Sequence, residues 1–109
     1  MAKYVMVVQS NAKPGRDADY NEWYDTIHFA DICAIPGITG GRRFEHAMTA
    51  IGAPGQPYLS IFEIEADDPA QIMAEMGQRG ADGRMRVSDA LDPQSTAMWF
   101  YKLHAIGGG

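Results

Sequence analysis

The chain holds a single cysteine, Cys33, among 109 residues. No internal disulfide is available, and the composition fits a reducing compartment, so the cytoplasm is the expected location. Basic residues are few: nine Lys and Arg against fourteen Asp and Glu leave a net charge of −5. That balance excludes the basic footprint of a general nucleic-acid or acidic-membrane binder. No apolar run approaches the length of a bilayer span. The N-terminal "MAKYVMVVQSN" lacks the small-residue cleavage pattern of a signal peptide and reads as a strand. Three histidines without HxH, HxxxH or HExxH spacing, beside one cysteine, argue against structural zinc. GxGxxG after a strand, GxxxxGK[ST] and the GxSxG elbow are all missing, and with them the usual nucleotide cradles and serine-hydrolase geometry. Repeats are absent too. The expectation is one domain over residues 1–106 with a flexible glycine tail at 107–109.

What is present is an ordered set of short patterns. "KYVMVVQ" (3–9) is a strand followed by a loop. A helix is expected from Asp17, with Asp17, Asp19 and Glu22 complementing its N-terminal dipole and "PG" at 36–37 stopping it. Strands follow at 38–48 and 57–66, then a helix at 67–78 and a β-prone strand at 96–106. The order β-α-β-β-α-β is the ferredoxin-like split βαβ arrangement, an α+β class with a four-stranded antiparallel sheet.

Both faces of that sheet are apolar. The first strand puts Val5 and Val7 on one face and Tyr4, Met6 and Val8 on the other. The last strand opposes Trp99, Tyr101 and Leu103 to Met98, Phe100 and Ile106, and the third opposes Leu59 and Ile61 to Tyr58, Phe62 and Ile64. A sheet half exposed to water alternates apolar with polar. Two helices cover one face, so the second needs another cover. The expected cover is a second copy of the chain, giving a two-fold homodimer whose sheets close into a barrel-like core. The alternative is a central last strand under larger helices.

The first helix carries the chemistry. At about 100° per residue, Tyr20, Trp23, Tyr24, Ile27 and Ala34 form a sheet-facing stripe, with Asp31 near its centre and His28 on its border. Tyr24, His28 and Asp31 are four and three apart, neighbours on one surface. A carboxylate against a core has to be bonded, protonated or facing a polar cavity. Beside an imidazole it raises the ring's pKa and fixes its tautomer, as in a general acid or base. The plainer reading is a locally paired Asp31, a surface His28, and Trp23 and Tyr24 as core. Arg42 and Arg43, adjacent on a strand, point to opposite faces; one of them can clamp an anion from a cavity, or the pair simply blunts an edge strand with charge. His46 and His104 read as surface residues. The stretch 79–86, with Arg79, Arg84 and Arg86 among glycines, reads either as a solvated connector or as a lid lending positive charge to an anionic substrate.

The run "NEWYDTIHFADICAIPGITGGRRFE" resembles the dimeric α+β barrel superfamily, and within it the EthD-like and related small families. These carry a tryptophan and a histidine five apart on the first helix, then "PG", then a strand with one or two arginines. The matches here are Trp23, His28, Pro36, Gly37, Arg42 and Arg43. The chain departs from the pattern at Ala30, where relatives often have proline, which implies a straighter helix. The resemblance implies a pocket between sheet and helices with a histidine as acid or base. Relatives on this fold include lactone isomerases, polyketide cyclases, cofactor-free oxygenases and haem-dependent enzymes, so fold does not fix chemistry.

The resulting expectation is a small enzyme, with no cofactor and no metal, that moves protons on an aromatic, polyketide-like or lactone compound by isomerisation, cyclisation or elimination. His28 is its acid/base, Asp31 the orienter and Tyr24 a donor to a developing oxyanion. Arg43 holds an anionic end, and Trp23, Trp99 and Tyr101 form the apolar wall. The alternatives are a non-catalytic module that binds a small aromatic ligand, as in stress responses, and a cofactor-free monooxygenase.

Overall fold

The computed structural model describes residues 2–108; Gly109, the end of the expected tail, lies outside them. The elements are β1 (Ala2–Ala12), α1 (Asp17–Trp23), a π-helical turn (Tyr24–His28), α2 (Phe29–Cys33), β2 (Ile38–Glu45), β3 (Tyr58–Ala66), α3 (Ala70–Ala81) and β4 (Leu91–Lys102). The sheet order is β2-β3-β1-β4, every neighbouring pair antiparallel. This is the ferredoxin-like α+β fold. β2 and β4 form its edges. No helix among the described residues is long and apolar enough to cross a membrane.

Strand alternation sorts the side chains. Met6, Val8, Ser10 and Ala12 of β1 and Ser60, Phe62, Ile64 and Ala66 of β3 are buried under the helices. Tyr20, Trp23, Tyr24, Ile32 and Ile35 from the first helical layer and Ile72 from α3 complete that core. The other face carries Val5, Val7, Leu59 and Ile61, with Phe44, Trp99 and Tyr101 exposed. Helices thus cover one face only, and a large apolar surface lies open on the other.

Element ends follow local chemistry. After α2 the chain reverses through Gly37 at φ +99°, where a side chain is strained. The Glu65 N–H donates to the Gly37 carbonyl at 2.9 Å, and a Cβ on Gly37 would lie 3.1 Å from Ile72 Cδ1. α3 starts at Ala70, later than the pattern implies, because Asp68 acts from outside it: its Oδ1 accepts from the Ala70 N–H at 2.9 Å. The helix continues through Gly77 and Gly80 to Ala81, with Arg79 and Glu75 bridged at 2.8 Å across one turn. β4 begins at Leu91, well before 96, because an edge strand tolerates Pro93 and a register shift opposite Gln9/Asn11 absorbs the irregularity. It ends at Lys102 rather than 106.

Candidate functional site

The first helical layer is not one regular helix. The Tyr24–His28 π turn separates α1 from α2. Such turns insert an extra residue and occur frequently at functional sites. In an α-helix, residues five apart point about 140° away from each other. Across this wider turn Trp23 and His28 stack, ring centroids 4.5 Å apart and planes 21° from parallel. Tyr24 meets the same imidazole nearly at right angles, at 4.8 Å. The wider turn thus interrupts the regular helix just before Ala30.

Enclosure sets the protonation state of His28. Burial pushes its pKa down from 6.5 to about 4; Asp31 opposes the fall and Arg43 adds to it. The ring is neutral at pH 7. Asp31 does act to raise this pKa, as expected, but desolvation outweighs the carboxylate's attraction and the net shift is downward. The expected His28–Asp31 pair is not formed either. Asp31 Oδ1 accepts instead from Arg86 Nη2 at 3.0 Å. Asp31 Oδ2 and His28 Nδ1 are both buried without a partner. The backbone carbonyl of Arg86 accepts from Trp23 Nε1 at 2.9 Å. One residue of the 82–90 loop, missed as an individual by sequence reasoning, thus touches the ring stacked on His28 and the carboxylate beside it. Only its membership in the arginine-bearing stretch 79–86 hinted at this.

Tyr24 is placed differently from the expectation. Its ring is 2% exposed, and Ser60 Oγ donates to its hydroxyl oxygen at 2.9 Å. Burial pushes the phenol up to about 12. The hydroxyl expected to face an oxyanion lies against Ser60 inside the core. Nothing in the sequence marked Ser60, a polar residue alternating with apolar ones on β3, as its partner.

Arg43 projects to the helix side while Arg42 faces the open side, as alternation requires. The Arg43 guanidinium lies over the Tyr24 ring at 4.1 Å. It donates from Nη1 to Asp25 and from Nη2 to Asn21 Oδ1, while Nε is buried and unpaired. Two open clefts flank the Arg43–Asp25 pair. One, of about 420 Å³, is lined further by Asn21, Phe44, Glu45 and Tyr58. The other, of about 340 Å³, is lined further by Phe29, Gly41 and Arg42. His28 and Asp31 line neither; Tyr24 touches both His28 and Arg43 and links the two halves. Arg42 sits 3.9 Å from Glu63 at the sheet edge.

Trp99 and Tyr101 do not join this constellation. They pair in register with Val7 and Val5, so they lie on the face away from the helices, 43% and 57% exposed. Their expected role as a wall around His28 is corrected by strand parity: Met98 and Phe100 are the β4 residues on the His28 side. His46 and His104 are exposed, as expected. Among the described residues, no group of three or more His, Cys, Asp and Glu is arranged to hold a metal ion.

No family model matches the chain, and no curated protein does. Solved structures match along nearly its whole length. The haem-degrader MhuD from Mycobacterium tuberculosis, solved with two haems in its active site, superposes with a TM-score of 0.66 at 13% identity, covering 96% of this chain and 99% of that one. An EthD (ethyl tert-butyl ether degradation) family protein from Bacillus halodurans gives 0.61 at 14% identity, covering 95% and 100%. HapK from Hahella chejuensis gives 0.51 at 16% identity, covering 100% and 96%. At such identities the likeness establishes fold rather than activity. The chain shares its ferredoxin-like α+β fold with these proteins, an EthD family member among them, as the Trp23–His28 motif implied.

Proposed function

We propose that the chain is a small enzyme that moves a proton on an aromatic, polyketide-like or lactone carbonyl compound, in isomerisation, cyclisation or elimination. One observation carries the reading. Among the described residues, the buried side-chain atoms left without a partner are an imidazole nitrogen (His28 Nδ1), a carboxylate oxygen (Asp31 Oδ2) and a guanidinium nitrogen (Arg43 Nε), all on the helix side of the sheet. Each such group costs about 1–3 kcal/mol. An imidazole, a carboxylate bridged to the exposed Arg86 and a guanidinium bridged to the exposed Asp25, each keeping a buried atom without a partner, are what a proton-transfer site needs and what a purely structural core avoids.

Neutral His28 takes a proton from, or returns one to, a carbon or oxygen of the substrate. Arg43 binds the substrate's anionic end through its planar fork, competing with the exposed Asp25. The adjoining clefts have the volume of small-molecule sites. MhuD holds haem, but this chain's residues do not fit a porphyrin. Met6, Tyr20, Ile32, Ile35 and Phe62 fill the layer beneath the helices, and Trp23 and Tyr24 close on the His28 ring.

The open apolar face supports a homodimer in which a second sheet covers Val5, Val7, Ile61, Phe44, Trp99 and Tyr101. A second reading, a non-catalytic binder of a small aromatic carboxylate, is favoured by one feature: both clefts border Arg43 and neither reaches His28. Turnover separates the two. Wild type and His28→Ala are incubated with a panel of aromatic and polyketide-like ketones and lactones, following product and solvent-deuterium incorporation. The enzyme reading expects both in wild type and a loss of about 100-fold or more in His28→Ala. Full turnover in His28→Ala refutes it. Binding in the Arg43 cleft with no turnover in either protein establishes the binder.

A further inference from the structure

The carboxylate that would activate His28 makes no hydrogen bond to it and is bonded to Arg86 instead. His28 and Asp31 are three apart on one helix surface, each with a buried, unpaired polar atom, Nδ1 and Oδ2. One can be a donor and the other is an acceptor, yet Asp31 Oδ1 is engaged by Arg86 at 3.0 Å. The two ends of that bridge differ. The Asp31 side chain is 14% exposed, whereas that of Arg86 is 64% exposed, so the guanidinium is the partner solvent or a solute can reach. Arg86 is anchored independently of its side chain, by the Trp23 Nε1–H bond to its backbone carbonyl. The side chain can therefore change partner while the loop stays in place.

We propose that Arg86 is a positioning residue: here it keeps Asp31 engaged and unbonded to His28, and an anionic substrate group other than the end held by Arg43, on taking over the Arg86 guanidinium, releases Asp31 to accept from His28 Nδ1–H. The substrate thereby arms its own base. A carboxylate or enolate with a planar pair of oxygens suits the guanidinium fork. Once bonded, Asp31 holds Nδ1 protonated, leaves Nε2 as the basic nitrogen and stabilises the imidazolium formed when Nε2 takes a proton. This rests on the reading under Proposed function and adds a substrate class to it: compounds that are already anionic or become so on binding.

The charged groups acting on His28 are few. Asp31 acts from its own helical layer and Arg43 from β2, the Tyr24 phenol is un-ionised at pH 7, and Arg86 reaches the imidazole only through Asp31. That simplicity allows a test without turnover. His28 is titrated by NMR in the full chain as wild type, Arg86→Gln, Arg86→Met, Arg86→Lys and the double variant Arg86→Gln/Asp31→Asn, with exposed His46 and His104 as reference signals. The proposal expects the His28 midpoint to stay low in wild type and Arg86→Lys, to rise from about 4 toward 6.5 in Arg86→Gln and Arg86→Met, and to fall again in the double variant. Two neutral substitutions are used so that a folding defect in one does not decide the outcome. An unchanged midpoint in the neutral variants, or a rise that survives in the double variant, overturns the proposal. Either result leaves the enzyme reading to be judged on the His28→Ala turnover experiment.

Discussion

The enclosure of His28 makes a quantitative claim about acid stability. The folded imidazole titrates at about 4 against 6.5 for the ordinary ring, so as pH falls the unfolded chain takes up this proton first. Stability rises with pH wherever the unfolded state binds more protons. The contribution is therefore complete above pH 6.5 and is lost progressively as pH drops toward 4, below which the folded ring protonates as well. The full span is worth about 3 kcal/mol, and about 2 kcal/mol has gone by pH 5. For a domain of this length that corresponds to a fall in Tm of about 10 °C. The assay is urea unfolding at pH 7.5 and pH 5 for wild type and His28→Gln, at one fixed protein concentration because a dimer's stability depends on it. Carboxylates titrating over the same range cancel in the comparison. Wild type is expected to lose about 2 kcal/mol more than His28→Gln between the two pH values. Equal losses in the two proteins would refute the claim that this ring is held neutral by burial.

Five further outcomes follow from named residues. His28→Phe keeps an aromatic ring for the Trp23 stack while removing the unpaired Nδ1, and is expected to raise stability at pH 7.5 by about 1–2 kcal/mol in chemical denaturation while abolishing turnover. Trp23→Phe keeps the ring over His28 but deprives the Arg86 carbonyl of its donor; a loss of about 1–2 kcal/mol is expected, with faster amide exchange confined to residues 82–90. Gly37→Ala combines φ +99° with a 3.1 Å approach to Ile72 Cδ1 and is expected to cost about 2–4 kcal/mol in denaturant titration. Gly15→Ala, at φ +75° with nothing within 4 Å, should cost about 1 kcal/mol. Trp99→Glu places a charge on the open face and is expected to shift the sedimenting species from dimer to monomer at micromolar concentration, leaving the helical circular-dichroism signal intact.

The fold was legible because its signals are local and periodic. The order of six elements, the reversal at Gly37 and the opposite aims of Arg42 and Arg43 all follow from β alternation and turn chemistry. So does the doubly apolar sheet, since Trp99 and Tyr101 lie opposite Met98 and Phe100 whatever the tertiary arrangement. Assigning Trp99 and Tyr101 to the wall around His28 failed at the next step: two-residue periodicity says which residues share a face but not which face the helices take. Register with β1 settles that, because Met6 and Val8 lie under the helices and pair with Phe100 and Met98. The π turn was invisible for a different reason. Counting a constant angle per residue assumes a constant twist, and one inserted residue shifts the phase of everything beyond it. The spacing of Trp23 and His28, five apart, was the one available clue, since these rings meet only across a widened turn.

The same turn explains why the site reads differently in sequence and in space. A regular helix through residue 31 would put Asp31 on the core stripe beside His28. The widened turn instead wraps His28 under Trp23, and Asp31 meets Arg86, far along the chain and beyond the reach of local pattern. Desolvation then sets the resting state of the imidazole, and Arg86, by engaging the carboxylate, limits how far Asp31 counters it. The helix side thus concentrates unpaired polar atoms at a cost of several kcal/mol, a large share of the stability of a domain this size. The open side offers apolar area whose burial against a second sheet can offset that cost at about 25 cal/mol per Å². Because alternation assigns the two jobs to opposite faces of the same strands, substitutions on the open face should change assembly and total stability without moving the His28 midpoint. Changes at Arg86 should do the reverse.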